Sequence, residues 1–433
     1  MAEKHYDWAD GEIPFIEAHS LAKHRILRRY IEIYVEVLMS NPKRERLALT
    51  LVDGFAGGGV YRQRKNDELH FGSPLILLRT VPVAEANVNR SRKKQVIVDA
   101  RYEFVEKNSN TVAYLRRTIA EHCPTALSQG RVHVREGVFE DELDSIIRQI
   151  SQRGRKPRAI FILDQYGYSD VPLAAVQRIF ESLPNAEVFM TLAVGWISAY
   201  LSQARDAVGY MSRSMGIDEC PLTVAEIEAL YLQTDDESRR KQLFVQRILY
   251  ETFAKKAGAA FFTPFFIMSR GSNRPYWFLH LANNWRANNE VKKLHWSLEN
   301  HFEHYGGPGT NMMMLGYDPH RDGDLLAQGS FDFGSTAEKQ TRAALHEDIP
   351  KRVLKRHPDG ISFRQLFEAT TNEMPGTESM LADVVSELVR RGDLAKIGGA
   401  GEMRRPGTRA HHDDIIRPRG QKYFDFIKDP KNR

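Results

Sequence analysis

Three acidic residues each stand where an apolar run stops: Asp53 after Leu47 to Val52, Glu106 after Tyr102 to Val105, and Asp164 after Ala159 to Leu163. The first continues into Gly54-Phe55-Ala56-Gly57-Gly58-Gly59. A turn poor in Cβ atoms lets backbone N–H groups approach a ligand closely, or simply reverses the chain tightly. A phosphate cradle would need Gly-x-x-x-x-Gly-Lys-Ser/Thr, and no Lys follows Gly59. A dinucleotide fingerprint would need Gly-x-Gly-x-x-Gly, and the residue three after Gly59 is Arg62. If the three runs are parallel strands, all three acids reach the carboxyl edge of one sheet, where open α/β sheets bind their ligands. A carboxylate at Glu106 can accept both hydroxyls of a ribose, or be merely a solvated strand end. One at Asp164 can accept from a substrate amine, or cap the following turn.

Asp53 to Gly59 also fits acidic-x-Phe-x-Gly-x-Gly, the first motif of Rossmann-like methyltransferases, whose turn wraps the methionine end of S-adenosylmethionine (SAM). On that reading Asp53, Gly54, Phe55, Ala56, Gly57 and Gly59 hold the methionine moiety and Glu106 the ribose. Phe139, in Gly137-Val138-Phe139, lies along the adenine, although methyltransferases often carry Asp where Val138 stands. Glu106 lies 47 residues beyond Gly59, against about twenty in dinucleotide folds. The loop from Arg62 to Phe71 must then be an insertion. Methyl transfer asks mainly for alignment of acceptor and sulfonium carbon. Asp164, Gln165 and Tyr166 are the candidates: Asp164 orienting an exocyclic amine, the Gln165 carbonyl as second acceptor, and Tyr166 stacking on a flipped base. Ser73-Pro74 reads as an N-cap and first helical residue.

The surrounding pattern is that of an α/β sheet. His19 to Met39 has helical periodicity. Strand signals at Leu47–Val52, Gln95–Val98, Tyr102–Val105, Arg131–Val134, Ala159–Leu163 and Val188–Leu192 alternate with helical ones, which predicts a mostly parallel sheet with helices on both faces. Ala260–Ser269 and Tyr276–Ala282 predict a closing antiparallel hairpin, and Asn289–His301 a helix. The expected organisation is an N-terminal helical segment over 1–46, then a Rossmann-like domain over 47–304. That domain carries a helical insertion at about 203–258; a linker follows over 305–335, and a separate domain over 336–433.

The 433 residues carry a formal charge of +5, most of it beyond Glu338. There, three helical segments precede a basic hairpin punctuated by Arg404, Arg405, Arg409, Arg417 and Arg419, the pattern of a winged helix whose wing neutralises phosphates. The nucleic-acid partner expected of it is DNA; a solvated charged surface or a protein-binding winged helix are the alternatives. The only cysteines, Cys123 and Cys220, support neither a metal cluster nor a disulfide framework. With no apolar run long enough to cross a bilayer, a reducing cytoplasm is the expected setting.

Taken together, Asp53-Gly-Phe-Ala-Gly-Gly-Gly-Val-Tyr61, Gly72-Ser-Pro-Leu75, Phe104-Val-Glu-Lys107, Leu163-Asp-Gln-Tyr-Gly167, the Lys23-His24-Arg-Ile-Leu27 helix and the Tyr276 to Trp296 segment resemble the bacterial three-Cys-motif partner (TcmP) proteins. The resemblance covers roughly Ala18 to His301. It implies a SAM-methyltransferase-like Rossmann fold and a partner resembling a radical-SAM protein with three cysteines. That family has Asp-Pro-Phe-Gly where this chain has Asp164-Gln165-Tyr166-Gly167, so Gln165 keeps the carbonyl and loses the rigidity of proline. Two expectations follow: a SAM-dependent enzyme acting on a nucleic-acid amine, or a non-catalytic scaffold that brings the radical-SAM-like partner to nucleic acid.

Overall fold

A computed structural model describes residues 8, 12–165, 171–192, 252–253, 256–268, 275–297, 303–304, 315–317, 333–399, 401–405 and 407–419. Tyr166, Gly167 and most of the expected insertion lie outside them. The chain divides into two compact units, Met1–Tyr305 with Met314–Gly334, and Gly306–Met313 with Ser335–Arg433.

The first unit begins with β1 (Phe15–Ile16) and α1 (Ala18–Met39), followed by β2 (Arg46–Asp53), β3 (Val60–Gln63), β4 (Leu69–Phe71) and α2 (Ser73–Arg90). Next come β5 (Ile97–Glu106), α3 (Ser109–His122), α4 (Pro124–Ser128), β6 (Val132–Glu136), α5 (Phe139–Ser151), β7 (Arg158–Leu163), α6 (Leu173–Ser182) and β8 (Ala186–Leu192). The hairpin β9 (Phe261–Met268) and β10 (Pro275–Ala282) leads to α7 (Trp285–Ser297) and the short strands β11 (Glu303–His304) and β12 (Leu315–Tyr317).

The main sheet runs β11-β12-β9-β10-β8-β7-β2-β5-β6. Strands β6, β5, β2, β7 and β8 are mutually parallel, and β10 is antiparallel to β8 and β9. Counting β2 as the first strand, the order reads third, second, first, fourth, fifth, seventh, sixth. The chain winds outward from β2 through β5 to β6, then returns to β7 on the other side of β2. Between β2 and β7 the order therefore reverses, which opens a crevice at their carboxyl ends.

Both faces of the sheet are covered, as an all-parallel region requires. In β7, Ala159, Phe161 and Leu163 pack with α5 and α6, while Ile160 and Ile162 face α1 and α2 with Leu49 and Leu51. Sequence periodicity reads two strands at 95–98 and 102–105, yet β5 runs unbroken. Asp99 and Arg101 fall on its more exposed positions while Val98, Ala100 and Tyr102 are buried. The polar pair that looks like a break is one side of the pleat. The 62–71 segment forms the hairpin β3–β4, and β1 adds to β3 in parallel.

The second unit contains α8 (Phe333–Arg356), β13 (Ile361–Ser362), α9 (Phe363–Thr370), a 3-10 turn, α10 (Glu378–Arg391), β14 (Leu394–Ile397) and β15 (Ile415–Pro418). Its three strands pair in the antiparallel order β13-β15-β14. Ser362 and Gln365 form a capping box at the start of α9. Thr377 caps α10, and Gly392, with φ of 91°, ends it in the left-handed conformation that favours glycine. Leu381, Val384, Val385 and Leu388 of α10 are buried, the stripe that its periodicity predicts.

Candidate active site and basic surface

Asp53 is the last residue of β2, Glu106 the last of β5, and Asp164 follows β7, so the structure brings the three acids to adjacent strand ends. Asp53 is completely buried. Its Oδ1 accepts from the Phe55 N–H at 3.1 Å, and its Oδ2 has no hydrogen-bond partner. Burial pushes its pKa up to about 7, with the Ser73 hydroxyl and Phe55 N–H pulling it down and the charges of Asp164 and Glu106 pushing it further up. Gly72, not Ser73, is the N-cap of α2. That one-residue difference makes Ser73 the first helical residue and brings its hydroxyl to bear on Asp53.

The glycine turn is built for close approach, although not only of a ligand. Gly57 and Gly59 have φ of 59° and 80°, where a side chain would be strained. A Cβ on Gly58 would lie 2.6 Å from the indole of Trp8, and one on Gly54 2.8 Å from the Phe139 ring. Trp8 is buried, donates from Nε1 to the Val60 carbonyl at 2.9 Å, and meets Tyr61 edge-on. Part of the room left by the missing Cβ atoms is thus filled by the protein's own N-terminal segment. Phe139 is buried beneath Gly54, at the start of α5, and backs the turn from the core side. Replacing Gly58 with alanine should displace the indole and cost about 1–3 kcal/mol. Denaturant unfolding of Gly58→Ala and of Gly58→Ala/Trp8→Ala checks this: the second change should relieve most of the penalty that the first imposes.

Glu106 spans the turn. Its Oε2 accepts from the Gly57 N–H at 3.1 Å and its Oε1 from the Asn108 N–H at 2.9 Å. Those bonds hold the carboxylate at the rim and leave further lone pairs free to accept.

Asp164 has a partner that periodicity alone does not reveal. Lys23, buried on α1, reaches both its oxygens, at 2.5 and 2.7 Å. Burial by itself would raise the Asp164 pKa; the charge and hydrogen bonds of Lys23 outweigh it, and the pKa falls below the ordinary value. Beside Lys23, His24 stacks on His70 of β4 with their ring nitrogens 3.0 Å apart. Burial, then His70, drives the His24 pKa down to about 3, and burial and Arg28 lower that of His70, so the pair is neutral near pH 7.

Gln165 is buried and used structurally. Its Nε2 donates to the Thr191 carbonyl of β8 at 3.1 Å and its Oε1 accepts from the Val171 N–H at 2.9 Å. It ties the loop after β7 to its neighbouring strand, supplying by hydrogen bonding some of the rigidity that a proline would supply covalently. Tyr166 lies outside the described residues.

In the second unit the basic residues are less free than their number suggests. Arg404 pairs with Asp414 at 3.2 Å and Glu402 at 3.3 Å, and Arg409 bonds Ser379 and lies 3.7 Å from Asp383. Arg419 packs over Gly392, where α10 ends. Arg405, Arg417 and Arg419 have no acidic partner among the described residues. A metal-binding group of His, Cys, Asp and Glu is not found among the described residues, and none of the described helices is long and apolar enough to cross a membrane.

No protein-family model matches the sequence, and no curated protein matches it. Several similar solved structures are methyltransferases. An O-methyltransferase from Bacillus cereus, in complex with SAH, is 14% identical over 63% of this chain and 94% of its own, with a TM-score of 0.25. A candidate caffeoyl-CoA O-methyltransferase from Staphylococcus aureus is 11% identical over 64% of this chain and 88% of its own, at 0.27. The plantazolicin methyltransferase BamL, with a triazolic desmethylPZN analog and SAH, is 12% identical over 61% and 88%, at 0.23. All three scores are low.

Proposed function

We propose that this chain binds SAM at the carboxyl ends of β2 and β5 and transfers its methyl group to an exocyclic amine of a nucleic-acid base. The strand order, with a reversed seventh strand, is the arrangement of Rossmann-like SAM methyltransferases and supports the reading. The observation that carries it is the fully buried Asp53 carboxyl, whose Oδ2 has no hydrogen-bond partner and whose burial cost the Ser73 hydroxyl and the Phe55 N–H do not offset. An unmet buried acceptor is costly, and the ammonium of the methionine moiety is the donor that would satisfy it. Gly57 and Gly59 would let the backbone follow that moiety, and Glu106 would take the ribose. SAM, when bound, supplies the electrophilic methyl group. Asp164, kept ionised and oriented by Lys23, would accept from the acceptor amine and turn its lone pair toward that group.

The winged-helix-like order of helices and strands in the second unit supports a nucleic-acid substrate, and Arg405, Arg417 and Arg419 would be the wing residues that meet DNA. As in the TcmP proteins that the sequence resembles, the partner would be a three-cysteine radical-SAM-like protein. One observation favours a second reading, a non-catalytic scaffold: the Trp8 indole already lies against Gly57 and Gly58. Calorimetric titration with SAM and S-adenosylhomocysteine separates the two. The enzyme reading expects saturable binding to the wild type and loss in Asp53→Ala, together with SAM binding but no methyl transfer in Asp164→Ala. Absence of binding to both the wild type and Trp8→Ala would remove the enzyme reading and leave the scaffold.

A further inference from the structure

A cavity of about 370 Å³ lies at the opposite edge of the main sheet, away from Asp53 and Asp164. Its walls come from the second half of α1, the starts of β7 and β8, the end of β10 and the start of α7. The volume falls within the range of small-molecule sites, about 300–1,000 Å³.

Its chemistry is unlike that of an incidental gap. The Tyr34 hydroxyl, on a side chain that is 5% exposed, is buried and has no hydrogen-bond partner. Burial and then the charge of Glu187 raise the Tyr34 pKa well above its usual value, so the group is a proton donor at every physiological pH. Arg158, at the start of β7, acts on the same hydroxyl and has no acidic partner among the described residues. Arg44 and Arg286 also line the cavity. The two acids that line it are already committed: Glu187 Oε2 accepts from the Tyr30 hydroxyl and lies 3.0 Å from His280 Nε2, and Glu290 pairs with Lys293 at 2.8 Å. A buried hydroxyl without an acceptor, beside a guanidinium without a carboxylate, lacks one kind of group: an oxyanion, which a guanidinium fork and an O–H donor bind together.

We propose that this cavity binds a small oxyanion-bearing metabolite, a carboxylate or a phosphate ester, clamped between Arg158 and Tyr34. The site is independent of the SAM reading, because its residues come from the other end of the strands.

The test uses the full chain and simple probes: inorganic phosphate, pyrophosphate and succinate, titrated calorimetrically at constant ionic strength with chloride as control. Saturable one-to-one binding of at least one probe is expected, unchanged by added SAM. Arg158→Gln and Tyr34→Phe should each weaken it roughly tenfold or more, the worth of a hydrogen bond to a charged group. Tyr34→Phe removes only an unsatisfied hydroxyl, so its melting temperature should not fall, which keeps the comparison free of misfolding. Failure of every probe to bind, binding that chloride matches, or binding that both variants leave intact would each overturn the proposal. The distinction between carboxylate and phosphate sources is read from which probe binds more tightly.

Discussion

Asp53→Asn is expected to abolish SAM binding and, above neutral pH, to make the protein more stable than the wild type. Both effects follow from one carboxyl group. Its pKa in the folded chain is about 7, against 3.8 for the unperturbed group. The fold therefore holds a proton that the unfolded chain releases. This contribution is fully present below the unfolded pKa and is lost as pH rises through about 7. The full loss is about 4 kcal/mol. Asparagine has no charge to desolvate and escapes that loss, although its amide leaves a buried polar atom unmet at a cost of about 1–3 kcal/mol. A net gain of about 1–3 kcal/mol at pH 8 is expected, and little or none at pH 5. Denaturant melts of both proteins at the two pH values decide it. A wild type equally stable at both would show that Asp53 keeps an ordinary pKa. The same group sets the ligand's pH dependence. A ligand ammonium favours the ionised carboxylate, so affinity for SAM should rise about tenfold per unit on approaching pH 7 from below and level off above it. Flat affinity between pH 6 and pH 8 would exclude an ammonium contact at Asp53.

The parts of this site that the sequence exposes are those carried by local pattern. The alternation of strand and helix signals predicts a parallel sheet, and a parallel sheet sends Asp53, Glu106 and Asp164 to one edge without further information. The glycine run announces a tight turn. What the turn is tight against is a tertiary matter, and a docked indole uses missing Cβ atoms as well as a cofactor does. Trp8 lies 52 residues from the carbonyl it bonds, in a segment with no periodicity of its own. Lys23 is hidden for a related reason. In α1 it reads as one more polar residue beside an apolar stripe, and only the fold reveals that 141 residues separate it from its partner Asp164. Gln165 shows the converse: a residue judged by its carbonyl, as a departure from proline, uses its side chain to brace the loop. In the basic tail, composition counts Arg404 and Arg409 toward a phosphate surface, while Asp414, Glu402 and Asp383 claim them.

Lys23→Met should be the most damaging conservative change to the first unit, for a reason that also separates its structural role from its role at the site. Methionine keeps the unbranched stem out to the ε position and removes only the ammonium group, so packing on α1 is kept. The Asp164 carboxylate is then left in a largely desolvated setting without its counter-ion. Losing one partner of a buried pair costs about 3–5 kcal/mol. Asp164 keeps a quarter of its side chain exposed, so a discounted figure of about 2–3 kcal/mol is expected here. In the wild type the lowered Asp164 pKa stabilises the fold above the unfolded value, and that stability is lost as pH falls through the folded one. In the variant burial is opposed only by the smaller contributions of Thr191 and His24, the pKa rises, and the sign reverses: the penalty is greatest near pH 8 and fades toward pH 4. Adding Asp164→Asn should restore most of the stability at pH 8, because it removes the charge that Lys23 had been balancing. Methyl transfer should recover only in part, since the amide carbonyl is a neutral acceptor in place of a charged one. Unfolding curves for the two single variants and the double variant at both pH values measure the coupling. Additive losses would mean that the ion pair contributes nothing to the fold. Full recovery of turnover in the double variant would show that the chemistry does not use the charge of Asp164, while leaving its structural pairing with Lys23 intact.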